Sequence, residues 1–327
     1  MSPLAVSWVL TAGAAGMRSQ ALGLAEAVGL PIVEKRIVVG APWRWLPGGF
    51  LPMPLAALGR GSDPIAPPWP ALVIGCGRRS IGPALAIKRL SRGGTLAAYV
   101  QNPERAREKF DLVAAMPHDG VAGPNVVALD TALHNVTDAK LEAARAAWRS
   151  ILRPGDAPLL GALIGGDNGG FRLTGEIVAR LIRLLEDAHQ QHGFRVAVTP
   201  SRRTGEEARR ALAAALGGTD WASLWNGEGD NPYLGILGLS DRLIVTGESI
   251  SMISEALAAG RPVHVLPLEG QGRRHDAFLT RMADSGFVSL IEGERLDWKF
   301  AGTAPINSAV EPARRIRAML AERNGRP

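Results

Sequence analysis

Thr246, Ser249 and Ser251, with Glu255 one helical turn beyond, are the side chains whose types and spacing best fit chemistry on a phosphorylated ligand. They lie in Ser240 to Leu268, SDRLIVTGESISMISEALAAGRPVHVLPL. That stretch reads as a strand at Leu243 to Val245, a Gly/Ser/Glu turn at Thr246 to Ser251, a helix at Met252 to Ala259 and a strand at Pro262 to Leu266. A turn of this kind sits at the carboxyl end of its strand, where α/β sheets bind ligands. Its hydroxyls, and the free N–H groups of a helix starting at Ser251 and Met252, suit a diphosphate. Glu255 can accept from two vicinal hydroxyls, which a ribose presents. The same residues also fit a structural reading, with Ser249 or Ser251 capping the helix and Glu255 facing its dipole.

Other strand ends carry further candidates. Gly165 and Gly166, in LGALIGGDNGGFR, let a diphosphate approach the backbone, or form a simple turn. Ser201, Arg202, Arg203 and Thr204 follow a strand and precede a helix, and arginine suits bidentate phosphate contact. Thr204 with Glu207 three residues on also forms a capping-box pattern. His118 and Asp119 end another strand, where a histidine can take the proton of an acceptor hydroxyl. Arg78 and Arg79 lie in the strand-end loop GCGRRS; Cys76 beside them reads as a packed small residue. Asn231 before Pro232 suits a helix start.

The elements that must position these groups alternate. Strands at Ala5 to Leu10, Ile32 to Val38, Leu72 to Ile74, Leu96 to Val100, Leu112 to Ala115 and Val126 to Leu129 interleave with helices at Met17 to Val28 and Gly82 to Leu90. The pattern restarts after the turn-rich Arg153 to Pro158, which sets an expected boundary: residues 1–153, then 154–305, with a C-terminal helix in 306–327. Alternation of this kind implies parallel sheets covered by helices. The expected fold is α/β, two Rossmann-like domains facing a cleft. Pro42 to Gly61, PWRWLPGGFLPMPLAALGRG, combines Trp43, Trp45, Phe50, leucines and flanking arginines in a way that suits a membrane interface, a lid or a packing loop.

Composition bounds the rest. The 327 residues are 46% apolar and 21% charged, enough for two cores. The single cysteine excludes an intrachain disulfide and fits a cytoplasmic setting. No segment is long and apolar enough to span a bilayer. A net charge of +6 fits anionic lipid or a phosphorylated substrate; with two tyrosines and no RNP-like pattern, nucleic acid is not an expected partner. No Asp-x-Asp pair or other metal site is read.

The order of loop, Ser/Gly turn, helix with early Glu255, Gly-x-Pro and apolar strand resembles the nucleotide-sugar half of GT-B glycosyltransferases and UDP-sugar 2-epimerases. The wording ESISMISEA, with QNP at Gln101 to Pro103, PHD at Pro117 to Asp119, SRRT at Ser201 to Thr204 and GDNPY at Gly229 to Tyr233, is similar to the bacterial branch of the plant mitochondrial-fission "elongated mitochondria" factor family. The resemblance runs from about Thr11 to Trp298. It implies a ribose role for Glu255, donor phosphates at Gly165 and Gly166, and the base or sugar near Asn226. It implies sugar hydroxyls near His275 and Asp276, although Arg273-Arg274-His275-Asp276 departs from the usual pattern. Gly16 and Gln20 match the family's first loop on the acceptor side, where the acidic residue and histidine common in the family are missing.

The expected function is metal-independent glycosyl transfer from a nucleotide-diphosphate sugar to a membrane-associated or lipid-linked acceptor. The sugar nucleotide is a substrate and no cofactor is held permanently. The expected location is cytoplasmic or peripheral on the inner membrane. The alternatives are a UDP-sugar 2-epimerase-like enzyme and a non-catalytic peripheral-membrane adaptor.

Overall fold

The computed structural model describes residues 4–13, 15–41, 45 and 54–324. Trp43, Phe50 and most of the aromatic insert lie outside the described residues. The chain divides into two compact units, one formed by Met1–Asn135 with Asn307–Pro327, the other by Val136–Ile306.

The first unit is a six-stranded parallel sheet. In chain order it contains β1 (Leu4–Thr11), α1 (Ala15–Val28), β2 (Ile32–Arg36), β3 (Pro70–Cys76), α2 (Ile81–Leu90), β4 (Leu96–Val100), β5 (Leu112–Ala115) and β6 (Val126–Ala128). The spatial order is β2-β1-β3-β4-β5-β6, so the winding reverses between β1 and β3. Every residue of β4 and β5 is buried, as expected of strands covered on both faces. Trp8, Leu10, Ile74 and Tyr99 lie in its interior. The last helix of the chain, Val310–Asn324, packs on α1 and belongs to this unit. Its Arg323 donates to Gly93 O at 2.6 Å and pairs with Asp111 at 3.3 Å.

The second unit begins with α3 (Asp138–Leu152), β7 (Leu159–Ile164), β8 (Phe171–Arg172), α4 (Gly175–His192), β9 (Arg195–Pro200), α5 (Glu206–Leu216) and β10 (Ala222–Leu224). It continues with α6 (Tyr233–Leu239), β11 (Arg242–Thr246), α7 (Ile250–Ala258), β12 (Val263–Leu266), β13 (Glu269–Gly270), α8 (Arg273–Asp284) and β14 (Ser289–Leu290); the final helix is α9. Its main sheet runs β10-β9-β7-β11-β12-β14, all parallel, and reverses between β7 and β11. A separate antiparallel pair joins β8 to β13. The helix α4 shows how the sequence sets an element: Thr174 caps it by accepting from Ile177 N, and Val178, Leu181, Leu184, Leu185 and Ala188 form its buried stripe.

Several sequence expectations shift. The unit boundary falls at Asn135/Val136 rather than in Arg153 to Pro158, because α3 packs on α6. Gly238 lies against the α3 backbone at Leu141, and Arg145 donates to Gly238 O at 2.8 Å. The short strands β8, β10, β13 and β14 lack the apolar run that marks a strand in sequence.

Candidate functional site

The carboxyl edge of the second sheet brings three sequence-distant loops together where its winding reverses. Such reversals open the crevice in which α/β sheets bind ligands. Gly165 and Gly166 follow β7, Ser201 to Thr204 follow β9, and Thr246 to Ser249 close β11 and start α7. Gly165 N donates to Thr246 Oγ1 at 2.8 Å, and Gly166 N to Glu248 Oε1 at 3.1 Å. Arg203 Nη2 reaches the same Glu248 oxygen at 2.9 Å. The Thr204 hydroxyl donates to the carbonyls of Ile164, at 3.1 Å, and of Gly165, while Ser201 N donates to it at 3.0 Å. Thr204 therefore ties β9 to β7. The capping box expected of Thr204 and Glu207 does not form, because Gly205 is the cap residue of α5 and makes no side-chain cap.

Glu248 is the centre of this edge, and its side chain is fully buried while that of Arg203 is 42% exposed. Its Oε2 is buried without a hydrogen-bond partner. Burial pushes the Glu248 carboxyl above its ordinary value, opposed by the Thr246 hydroxyl, the Gly166 N–H and Arg203. Glycine at 165 follows from this packing: a Cβ there would lie 1.6 Å from Glu248 Oε1. At Gly166 a Cβ would lie 2.1 Å from Arg203 O. The glycine pair, expected to make room for a diphosphate, here makes room for a carboxylate and a neighbouring loop.

Ser249 caps α7, accepting from Met252 N at 3.4 Å, so the helix begins at Ile250, ahead of its expected start. Ser251 and Met252 fall in the first turn, whose N–H groups lack intrahelical acceptors. Glu255, half-buried one turn on, accepts from the Tyr233 hydroxyl. Burial, then Glu255, pushes the Tyr233 phenol well above its usual value, which keeps it a donor. Arg202 is exposed and has no ion-pair partner among the described residues.

The remaining candidates of this unit make contacts within their loops and to neighbouring elements, and Asn231 Oδ1 also accepts from the Thr199 hydroxyl of β9 at 3.4 Å. Asn226 Oδ1 accepts from Glu228 N at 3.0 Å, and Asn231 Oδ1 from Tyr233 N at 2.9 Å. Asn231 is thus near the start of α6, but Pro232 is its cap residue. His275 packs on Phe171 with ring centroids 5.2 Å apart. Asp276 Oδ2 accepts from Gly272 N at 3.3 Å, closing the first turn of α8.

The carboxyl edge of the first unit is built differently. Gly16 is exposed in the first turn of α1, and Gln20 is buried, accepting from Gln101 Nε2 at 3.2 Å. Gln101 has φ +79°, a left-handed conformation that is strained for a residue bearing a Cβ. Arg78 pairs with Glu104 at 3.2 Å and Arg79 is exposed. Burial pushes the Cys76 thiol up to about 12, which suits the packed residue expected there. His118 is half-buried. Asp119 is buried, and its Oδ2 accepts from Met116 N at 3.1 Å while its carbonyl accepts from Asn102 Nδ2 at 2.8 Å. That carboxylate oxygen helps to hold its own turn beside His118.

Sequence reasoning missed Glu248 and Tyr233. Glu248 was legible only as part of a polar turn; the signal available was a charged residue placed between a strand end and a helix cap. Tyr233 stands in the GDNPY motif, and its hydroxyl role follows only from the contact of α6 with Glu255 on α7.

A family model described as mitochondrial fission ELM1 matches residues 15–320. The mitochondrial fission protein ELM1 of Arabidopsis thaliana is 28% identical over 277 residues, 78% of this chain and 65% of the plant protein. An uncharacterized protein of Rickettsia prowazekii (strain Madrid E) is 23% identical over 206 residues, 62% of this chain and 58% of that protein. The chain thus spans less than two thirds of the length of these relatives. Among solved structures, the UDP-GlcNAc 2-epimerase of Methanocaldococcus jannaschii superposes with a TM-score of 0.56 at 14% identity, covering 97% of this chain and 99% of the other. The UDP-GlcNAc 2-epimerase of Neisseria meningitidis, bound to UDP-GlcNAc, gives 0.53 at 11% identity with the same coverage. The glycotransferase of kitacinnamycin gives 0.53 at 12% identity over 99% of this chain and 94% of its own. These likenesses show the fold, two Rossmann-like units of the GT-B class.

Proposed function

The chain belongs to the mitochondrial fission ELM1 family, and from that premise we propose that its second unit binds a nucleotide-diphosphate sugar and that the protein transfers the glycosyl group to a membrane-associated acceptor. The observation that carries this reading is the convergence, where the second sheet reverses, of the α7 start with Ser249 and Ser251 and of the arginine loop after β9. Helix starts and guanidinium forks are the groups that stabilise a departing diphosphate. Arg202, exposed and without an ion-pair partner among the described residues, is the first phosphate ligand, and Arg203 the second. Glu255, held by Tyr233, takes the ribose hydroxyls. His118 is assigned the proton of the acceptor hydroxyl, with Asp119 left to its turn.

A thermal-shift screen against UDP-, GDP-, CMP- and ADP-sugars tests the donor. Binding at a hundredfold excess over Kd stabilises by about 2.7 kcal/mol, a shift of several degrees. No shift with any sugar nucleotide sinks the reading. Glu255→Ala lowers nucleotide affinity with the fold intact, at a cost of about 1.5–3 kcal/mol for a lost charged hydrogen bond. Release of free nucleoside diphosphate on adding an acceptor separates transfer from epimerisation. The membrane part rests on the aromatic insert: Trp43→Ser, Trp45→Ser and Phe50→Ser together should release the protein from anionic vesicles in flotation while nucleotide binding survives. If the parent does not float, that part fails.

A further inference from the structure

Glu248 lies at the meeting point of β7, β9 and β11 and has no place in the roles assigned above. Its Oε1 accepts from Gly166 N–H and from Arg203, the two kinds of donor that bind phosphate. A carboxylate of the chain itself therefore occupies part of the anion seat. We propose that Glu248 is a proton-coupled positioning residue of this seat, so that a diphosphate engaging Arg203 binds together with one proton taken up by the Glu248 carboxylate.

Three features lead there. Arg203 is 42% exposed, whereas Glu248 is fully buried, so the guanidinium presents one side to the carboxylate and another to solvent. An anion arriving from solvent then shares one cation with a carboxylate in a medium of low dielectric, where like charges repel strongly. Glu248 Oε2 is buried and unpartnered, an uncommon state for a buried polar atom, and it offers a place for the proton. The space beside Oε1 is closed by Gly165, where even a Cβ would collide, so the carboxylate cannot retreat toward β7. Loss of charge is the remaining response.

The groups facing Glu248 are few. The β7 loop contributes the backbone of Gly165 and Gly166, β11 the Thr246 hydroxyl, and the loop after β9 contributes Arg203, its one ionised partner among the described residues. Burial by the chain itself pushes the carboxyl upward. A second anion pushes it further in the same direction.

The inference rests on the proposed site for the identity of the anion, and inorganic pyrophosphate tests it without a nucleotide. Calorimetry on the full chain, with pyrophosphate and with UDP, is run from pH 5.5 to 8.5 in buffers of different ionisation enthalpy. The ligand's own titration cancels in the difference between wild type and Glu248→Gln, a variant that keeps an acceptor for Gly166 N–H. Wild type should take up about one more proton than E248Q, and its affinity should fall about tenfold more per pH unit at the alkaline end. At pH 8, E248Q should bind pyrophosphate at least about tenfold more tightly than wild type, a gain that a merely structural role of Glu248 would not produce. Equal proton uptake, equal slopes, weaker binding by E248Q, or no pyrophosphate binding by either protein overturns the inference. Buffer-dependent heats of the wild type alone decide the matter if E248Q does not fold. Pyrophosphate binding with proton uptake, but UDP no tighter than pyrophosphate, keeps this inference and removes the nucleotide reading. UDP binding without uptake does the reverse.

Discussion

The two sheets of this chain share one winding pattern and finish their carboxyl edges in opposite ways. In the first unit the strand-end ion pair stays near solvent, with Arg78 and Glu104 side chains 57% and 41% exposed, and the buried Asp119 accepts from the backbone of its own turn. In the second unit a carboxylate is buried across the reversal of the winding, with one oxygen paired and one not. Exposed pairs contribute little to stability, whereas a buried charge is costly unless partnered. The difference teaches where binding capacity is stored. An edge built around a costly ion is poised to respond to another ion, and an edge built from cheap local contacts is poised to hold its shape.

The largest expected effect comes from forcing the buried edge apart. Gly165→Ala places a Cβ against Glu248 and should destabilise by about 3–5 kcal/mol, the cost of breaking a buried pair, read by urea denaturation. Gly165→Ala with Glu248→Ala should recover part of that loss, because the two positions share one space. Additive losses would mean that the carboxylate is not what glycine accommodates.

Next comes a pH effect within the same unit. Burial, then Arg242, lowers the His264 imidazole to about 4. The unfolded chain binds a proton near the ordinary value of about 6.5 and the folded chain does not, so stability is full above that value. It falls as pH drops from about 6.5 toward 4, by an amount on the order of 3 kcal/mol. His264→Leu should flatten this acid limb relative to wild type. Glu248 acts with the opposite sign: its raised carboxyl makes the wild type gain stability, relative to E248Q, as pH falls toward the ordinary carboxyl range.

A smaller change is expected at the helix that meets this edge. Tyr233→Phe removes the donor to Glu255 and should cost about 1.5–3 kcal/mol in thermal denaturation, with a parallel loss of ribose-dependent binding. The smallest effect belongs to the first unit, where Arg78→Ala should change stability by about 0–1 kcal/mol. A loss there as large as at Gly165 would erase the contrast between the edges.

Most of the architecture was legible because fully buried strands such as β4 and β7 are continuous apolar runs, and helices such as α3 and α4 start at a capping threonine. The loops that carry the candidate site were legible as strand-end turns for the same reason. Their internal contacts were not. The Thr204 pattern of a capping box is local, yet its hydroxyl is used across strands by Ile164 and Gly165, and no local rule anticipates a partner 40 residues away. Glu248 escaped for the complementary reason: a glutamate in a polar turn is ordinarily solvated, and the absence of a side chain at Gly165 creates the room to bury it. The first unit's boundary was also hidden, since the packing of α3 on α6 leaves no compositional mark.

The first unit is interrupted in sequence, and its last helix, α9, reaches α1 only after the whole second unit has been made. At about 5–20 residues per second, the ribosome takes on the order of ten seconds or more between β6 and α9. During that interval the α1 surface that α9 covers is bare, and Lys88 alone of its two basic partners is present to hold Asp111. The second unit therefore has the chance to complete itself first, and the earlier-born half of the protein becomes the later one to close.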